Sequence, residues 1–152
     1  MKKQQLIDDL EASWQELKDA TIGLSEVQML TPGMTGNWSV KDILAHVSWW
    51  EEEALKYLPL ILQGGHPPRY SVMYGGIDAF NAQMTELRRG WSLAQVRERL
   101  DLTHQRLIEF ILDVPEEQFK TETRFRRRLR ADSFGHYPLH TQAILAWRER
   151  IT

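Results

Sequence analysis

An all-α four-helix bundle is the fold class this sequence predicts, and three observations predict it. Apolar residues recur at three- and four-residue steps along most of the chain, the period of a helix with one buried stripe. Helix start and stop signals cut that pattern into long segments. No stretch shows convincing apolar–polar alternation of the kind a half-buried strand needs.

The first helix is expected over roughly residues 2 to 22, where Leu6, Leu10, Trp14 and Leu17 mark the stripe. Residues 30 to 38 hold Pro32, Gly33 and Gly36 and read as a loop. Ser39 then has the character of an N-cap, with Asp42 three residues on as its capping-box partner. The second helix runs from about Val40 to Gln63, with Ile43, Val47, Trp50, Ala54, Tyr57 and Ile61 inward. Gly64-Gly65 stops it, and Pro67-Pro68 prevents its resumption.

Residues 64 to 76 read as a loop with Tyr70 and Tyr74. A short extra helix, from Asp78 to about Arg89, is expected inside this long connection and ends at Gly90. Ser92 caps the third main helix, which carries Val96, Leu100, Leu107, Ile108 and Ile111 and ends before Pro115. Residues 116 to 132 are polar and irregular by pattern. The last helix covers about Phe134 to Arg150, with Ile144 and Trp147 inward. Pro138 belongs in its first turn, where a missing N–H is harmless, so His136 lies near a helix N-terminus. The whole chain, residues 1–152, reads as a single domain.

Composition narrows the functional classes. With 42% hydrophobic and 26% charged residues the chain has a globular balance. Its net charge of −2 offers no whole-chain attraction to nucleic acid, so no nucleic-acid partner is expected. No run is long and apolar enough for a membrane span, and no apolar signal region follows the N-terminus. A cytoplasmic location is the default expectation. Cysteine is absent, which removes disulfides and thiolate ligands and leaves His, Asp and Glu to hold a metal.

His136 and His140 stand four residues apart, one helical turn, so both imidazoles leave the same face. His46 lies on the inner stripe of the second helix, between Ile43 and Trp50. Taken singly, His46 also fits a core histidine bonded to a backbone carbonyl. Together the three offer nitrogen ligands from two helices, with coordination positions left open for chemistry. His66 next to Pro67-Pro68 reads as solvent-facing, and His104 borders the core without joining the ligand set.

Glu51-Glu52-Glu53 is a charge run of the kind that usually faces solvent. Glu53 follows His46 by seven residues, two turns along one face, and is the candidate general base. Five arginines fall between Arg124 and Arg130. A solvated segment accounts for them; the sharper reading is an anion-binding rim, with Arg126 and Arg128 as substrate contacts beside Trp50.

Three blocks carry a family resemblance: Gly36-Asn37-Trp38-Ser39-Val40-Lys41-Asp42-Ile43-Leu44-Ala45-His46-Val47 with Trp50-Glu51; Asp78-Ala79-Phe80-Asn81-Ala82-Gln83; and His136-Tyr137-Pro138-Leu139-His140 with Trp147. In these, the chain resembles the DinB-like superfamily of four-helix bundles, nearest its DfsB/ClbS-like branch. The resemblance implies that His46, His136 and His140 bind a divalent metal, nickel or zinc. It implies a small-molecule substrate and a homodimer through a helix face. Related enzymes include thiol-dependent transferases and isomerases using mycothiol or bacillithiol, and metal hydrolases. The ClbS-like branch includes a self-resistance protein that hydrolyses the cyclopropane of a DNA-alkylating metabolite. The expected function is therefore a metal-dependent small-molecule hydrolase. The alternatives are a thiol-dependent transferase, or a resistance protein that binds or hydrolyses a reactive metabolite without metal.

Overall fold

The computed structural model describes residues 2–152. In chain order its helices are α1 (Lys2–Asp19), α2 (Glu26–Leu30), α3 (Val40–Leu62), α4 (Tyr70–Met73), α5 (Ile77–Arg88), α6 (Leu93–Leu112), α7 (Glu117–Lys120), α8 (Arg124–Asp132) and α9 (Tyr137–Ile151). Beyond helices, the described residues hold one isolated bridge, between Thr35 and Trp38. The fold is all-α, with α1, α3, α6 and α9 as its four long members. None of these helices is long and apolar enough to cross a membrane.

The central helix is α3, which packs along α6 and α8, while α9 packs chiefly on α1. Its start is fixed by a complete capping box. The Ser39 hydroxyl accepts from the Asp42 N–H, and the Asp42 carboxylate accepts the Ser39 N–H at 2.9 Å. From Ile43 to Glu51 every residue of α3 is buried, because neighbours cover it on several sides. Gly64 ends the helix region at φ +86°, where a side chain would be strained. Leu10, Leu17, Ile43, Val47, Leu107, Ile111 and Ile144 are fully buried between the long helices. Each such side chain contributes about 1.5–3 kcal/mol through its removal from water.

Four expectations change. Residues 64 to 76 are not all loop: α4 forms within them, so the long connection holds two short helices, α4 and α5. The stretch before residue 30 hides α2, started by a capping box between Ser25 and Gln28. Residues 116 to 132 are not irregular: they form α7 and α8, the latter capped by Thr123 and anchored by buried Phe125 and Leu129 one turn apart. The five arginines around that apolar pair mask it in the sequence. The last helix begins at Tyr137, later than expected, because the chain must first turn: the Ser133 and Gly135 N–H groups both donate to the Arg130 carbonyl. A Cβ at Gly135 would come within 2.8 Å of that same carbonyl oxygen, so only glycine fits.

The glutamate run is also not a solvated face. Glu51 is 0% exposed and Glu53 8%. Glu52 stays nearer the surface, paired with Arg99 at 2.9 Å and Arg88 at 3.4 Å.

Candidate metal centre

The three histidines singled out in the sequence meet in space. His46 Nε2 lies 3.0 Å from His136 Nε2, and His140 Nε2 lies 2.8 Å from the same atom. His46 is presented by the second turn of α3; His136 sits at the cap position of α9 with Pro138 at its second helical residue, and His140 follows one turn on. Burial, reinforced by the nearby His136 and His140, pushes His46 down to about 2. Burial and then His140 push His136 down to about 3, and burial pushes His140 down to about 4. All three imidazoles are therefore neutral near pH 7, the state a metal ligand requires.

Aromatic walls hold the rings. Trp38 and Trp49 stand 4.9 and 5.0 Å from the His46 ring, centroid to centroid. Nδ1 of His46 and of His136 is buried without a hydrogen-bond partner, so packing rather than an outer carboxylate sets their orientation. Trp49 is itself fixed: its indole N–H and that of Trp50 donate to one acceptor, Asn81 Oδ1, at 3.1 and 3.0 Å. Asn81 lies in one of the resemblance blocks, yet no spacing rule marks it as the anchor of two indoles about thirty residues upstream.

The donor set fits a divalent borderline metal. Three neutral nitrogen donors and no sulfur suit zinc or nickel. Imidazoles on one ion at about 2.0–2.1 Å stand roughly 3 Å apart, close to the 2.8 and 3.0 Å separations here. Three Nε2 lone pairs converging on one point repel one another unless a cation or proton lies among them. Their lowered pKa values remove imidazolium as the answer near neutrality, which leaves a cation or an Nε2–H tautomer that donates to its neighbour.

The other candidate residues do not join this group. Glu53 lies two turns along α3 from His46, about 10 Å of helix. It accepts a hydrogen bond from the Tyr70 hydroxyl at 2.9 Å. Arg128 donates to that hydroxyl at 2.8 Å and to Asp132 at 2.7 Å, beside the rings of Tyr57 and Tyr70. Burial raises the Asp132 carboxyl to about 6, against the pull of Arg128. Trp50 packs on Tyr70 and Phe80.

The five arginines do not make one rim. Arg126 donates to the Phe119 carbonyl, Arg127 to the Glu122 carbonyl and Arg130 to the Glu122 carboxylate. Arg124 reaches exposed His66 and the Gly65 carbonyl. His104 is buried and bonded to Glu11 at 2.8 Å.

An all-α bundle with three histidines gathered from α3 and the start of α9 defines the class. The sequence matches the DinB superfamily over residues 9–147, and the chain belongs to that superfamily. Two solved structures share its fold. The colibactin self-resistance protein ClbS, in complex with a dsDNA, aligns with a TM-score of 0.80 and 14% identity over 96% of this chain and 94% of that one. The sibling lethal factor precursor DfsB aligns with a TM-score of 0.81 and 15% identity, over 99% and 96%. No curated protein matches in sequence.

The ClbS complex overturns the expectation of no nucleic-acid partner, since a protein of this fold is solved on duplex DNA. The expectation rested on a net charge of −2. A net charge is a sum over the molecule and does not report how basic side chains are distributed among its faces.

Proposed function

We propose that this protein is a metal-dependent hydrolase of a small molecule, with His46, His136 and His140 holding a divalent nickel or zinc ion. The observation that carries the reading is the convergence of three neutral Nε2 atoms from two helices. When bound, the ion supplies Lewis acidity that draws a water or a thiol toward deprotonation near neutral pH. Trp38 and Trp49 shield one side of the group from solvent. Glu53, two turns along α3 from His46, would take up a proton at Oε2 only from a distal part of the substrate, its Oε1 being held by Tyr70. Arg128 keeps that tyrosine in place through Nη2 and pairs with Asp132 through Nε, so only its Nη1 would meet an anionic part of the substrate, with Trp50 giving apolar contact. Arg126 is already committed to the Phe119 carbonyl and contributes less to such a clamp.

Protein purified without a histidine tag and analysed for metal is expected to retain nickel or zinc, and to lose it when any of the three histidines becomes alanine. Less than about a tenth of an equivalent, with no uptake on adding either metal, rejects the reading. Turnover of an electrophile only when a low-molecular-weight thiol is supplied would assign the transferase chemistry to the same site.

The fold shared with ClbS supports a second reading, a protector against a reactive metabolite that needs no metal and works on or near duplex DNA. It predicts saturable metabolite binding that survives alanine at all three histidines. It also predicts duplex binding that weakens steeply with salt.

A further inference from the structure

We infer that the buried Glu51–Tyr137 hydrogen bond is the positioning contact that brings the two halves of the histidine cluster into register. The inference rests on the metal reading above. His46 comes from α3, and His136 and His140 come from the start of α9. Yet α9 packs chiefly on α1 and touches α3 only lightly. The helix before it, α8, packs along α3 and brings the start of α9 near, but little direct packing fixes the distance between α9 and α3 themselves.

Among the described residues, the Tyr137 hydroxyl donating to Glu51 Oε2 at 2.7 Å is, apart from the His46–His136 contact of the cluster itself, the one side-chain hydrogen bond between α3 and the start of α9. Tyr137 directly follows His136, and Glu51 lies five residues beyond His46 on α3. Both side chains are fully buried, at 0% exposure. A carboxylate in such a place is costly unless its oxygens are occupied.

Both oxygens of Glu51 are occupied, and from two directions. Thr103 on α6 donates to Oε1 at 2.8 Å, Tyr137 on α9 donates to Oε2, and His104 Nδ1 stands 3.7 Å from Oε2. His104 in turn meets the half-exposed Glu11 and is stacked on Trp14, with ring centroids 3.8 Å apart. Burial raises the Glu51 carboxyl, and the nearby His104 together with the hydrogen bonds from Tyr137 and Thr103 opposes that rise. The carboxylate thus has a fixed position and a short, directional bond to the residue beside a ligand. Bonds of this kind are strong and intolerant of displacement. In metal sites, partners one step removed from the ligands typically change affinity by about ten- to a hundredfold.

The experiment compares metal affinity and metal-free stability in three proteins: the natural sequence, Tyr137→Phe and Thr103→Val. Both substitutions remove one donor from the same carboxylate at nearly constant volume, but only Tyr137→Phe unties α9 from α3. Nickel and zinc titrations should show Tyr137→Phe weakened on the order of tenfold or more, with Thr103→Val within about threefold of the natural protein. Comparable metal-free stability losses in the two variants would then mark the affinity change as one of register. Equal affinities in all three, or an equal loss in both variants, overturns the positioning role. A natural protein that binds neither metal rejects the metal reading, and this inference with it. If Tyr137→Phe does not fold, Glu51→Gln, which weakens the acceptor without emptying its space, carries the same test and the same expected direction.

Discussion

Asn81 shows how much one uncharged side chain can hold. Its single Oδ1 satisfies two indole donors, and one of those indoles walls the His46 ring. Asn81→Leu leaves both N–H groups without an acceptor and is expected to lower stability by about 3 kcal/mol, measured by urea unfolding. A loss below about 1 kcal/mol would mean that water takes over both donors. The residues of the site were unequally legible. His136 and His140 announce themselves through one-turn spacing, and His46 through its place on an apolar stripe. Asn81 does not, because its partners lie on another helix. Glu51 and Glu53 mislead, because charged residues are usually exposed and only the crowding around α3 buries them.

At the scale of elements, capping did most to make the fold readable. Ser39 and Ser92 each begin a long helix with a reciprocal capping box. Ser39→Ala is expected to cost about 1 kcal/mol, read as a shift of the urea midpoint with unchanged slope. Because α3 carries His46 in its second turn, fraying at this cap should also weaken metal binding. The helices missed in the sequence are the short ones. α2 spans five residues, and α4 and α7 four each. Their stability comes from tertiary packing, which local pattern does not record. In α8, Phe125 and Leu129 are a correct helical signal diluted by arginines. The start of α9 was displaced because the tight turn at Gly135 depends on its approach to the Arg130 carbonyl.

For the whole molecule, the buried ionisable groups predict how stability follows pH. His46, His136 and His140 are pushed down to about 2, 3 and 4 from 6.5. Below about pH 6.5 the unfolded chain takes up protons on these residues that the folded chain refuses, so stability falls as pH drops toward 4. Asp132, raised to about 6, and Glu51, also raised, act in the opposite sense. Their folded forms hold protons that the unfolded chain has already released, so their contribution shrinks as pH rises. Three histidines outweigh two carboxyls. Metal-free protein should have a higher urea midpoint at about pH 7.5 than at about pH 5. A midpoint equal or lower at the higher pH would contradict this balance.

His46 and His136 are 90 residues apart in the chain. An ion shared between them would act as a removable staple across more than half of the polypeptide. It would confine the unfolded chain much as a long-range cross-link does. At a hundredfold excess over its Kd, such an ion adds about 2.7 kcal/mol to stability. In a protein with no cysteine, the histidines would then serve as its one reversible fastening. A chelator would loosen the molecule as well as silence it, and the melting temperature would track the concentration of free metal.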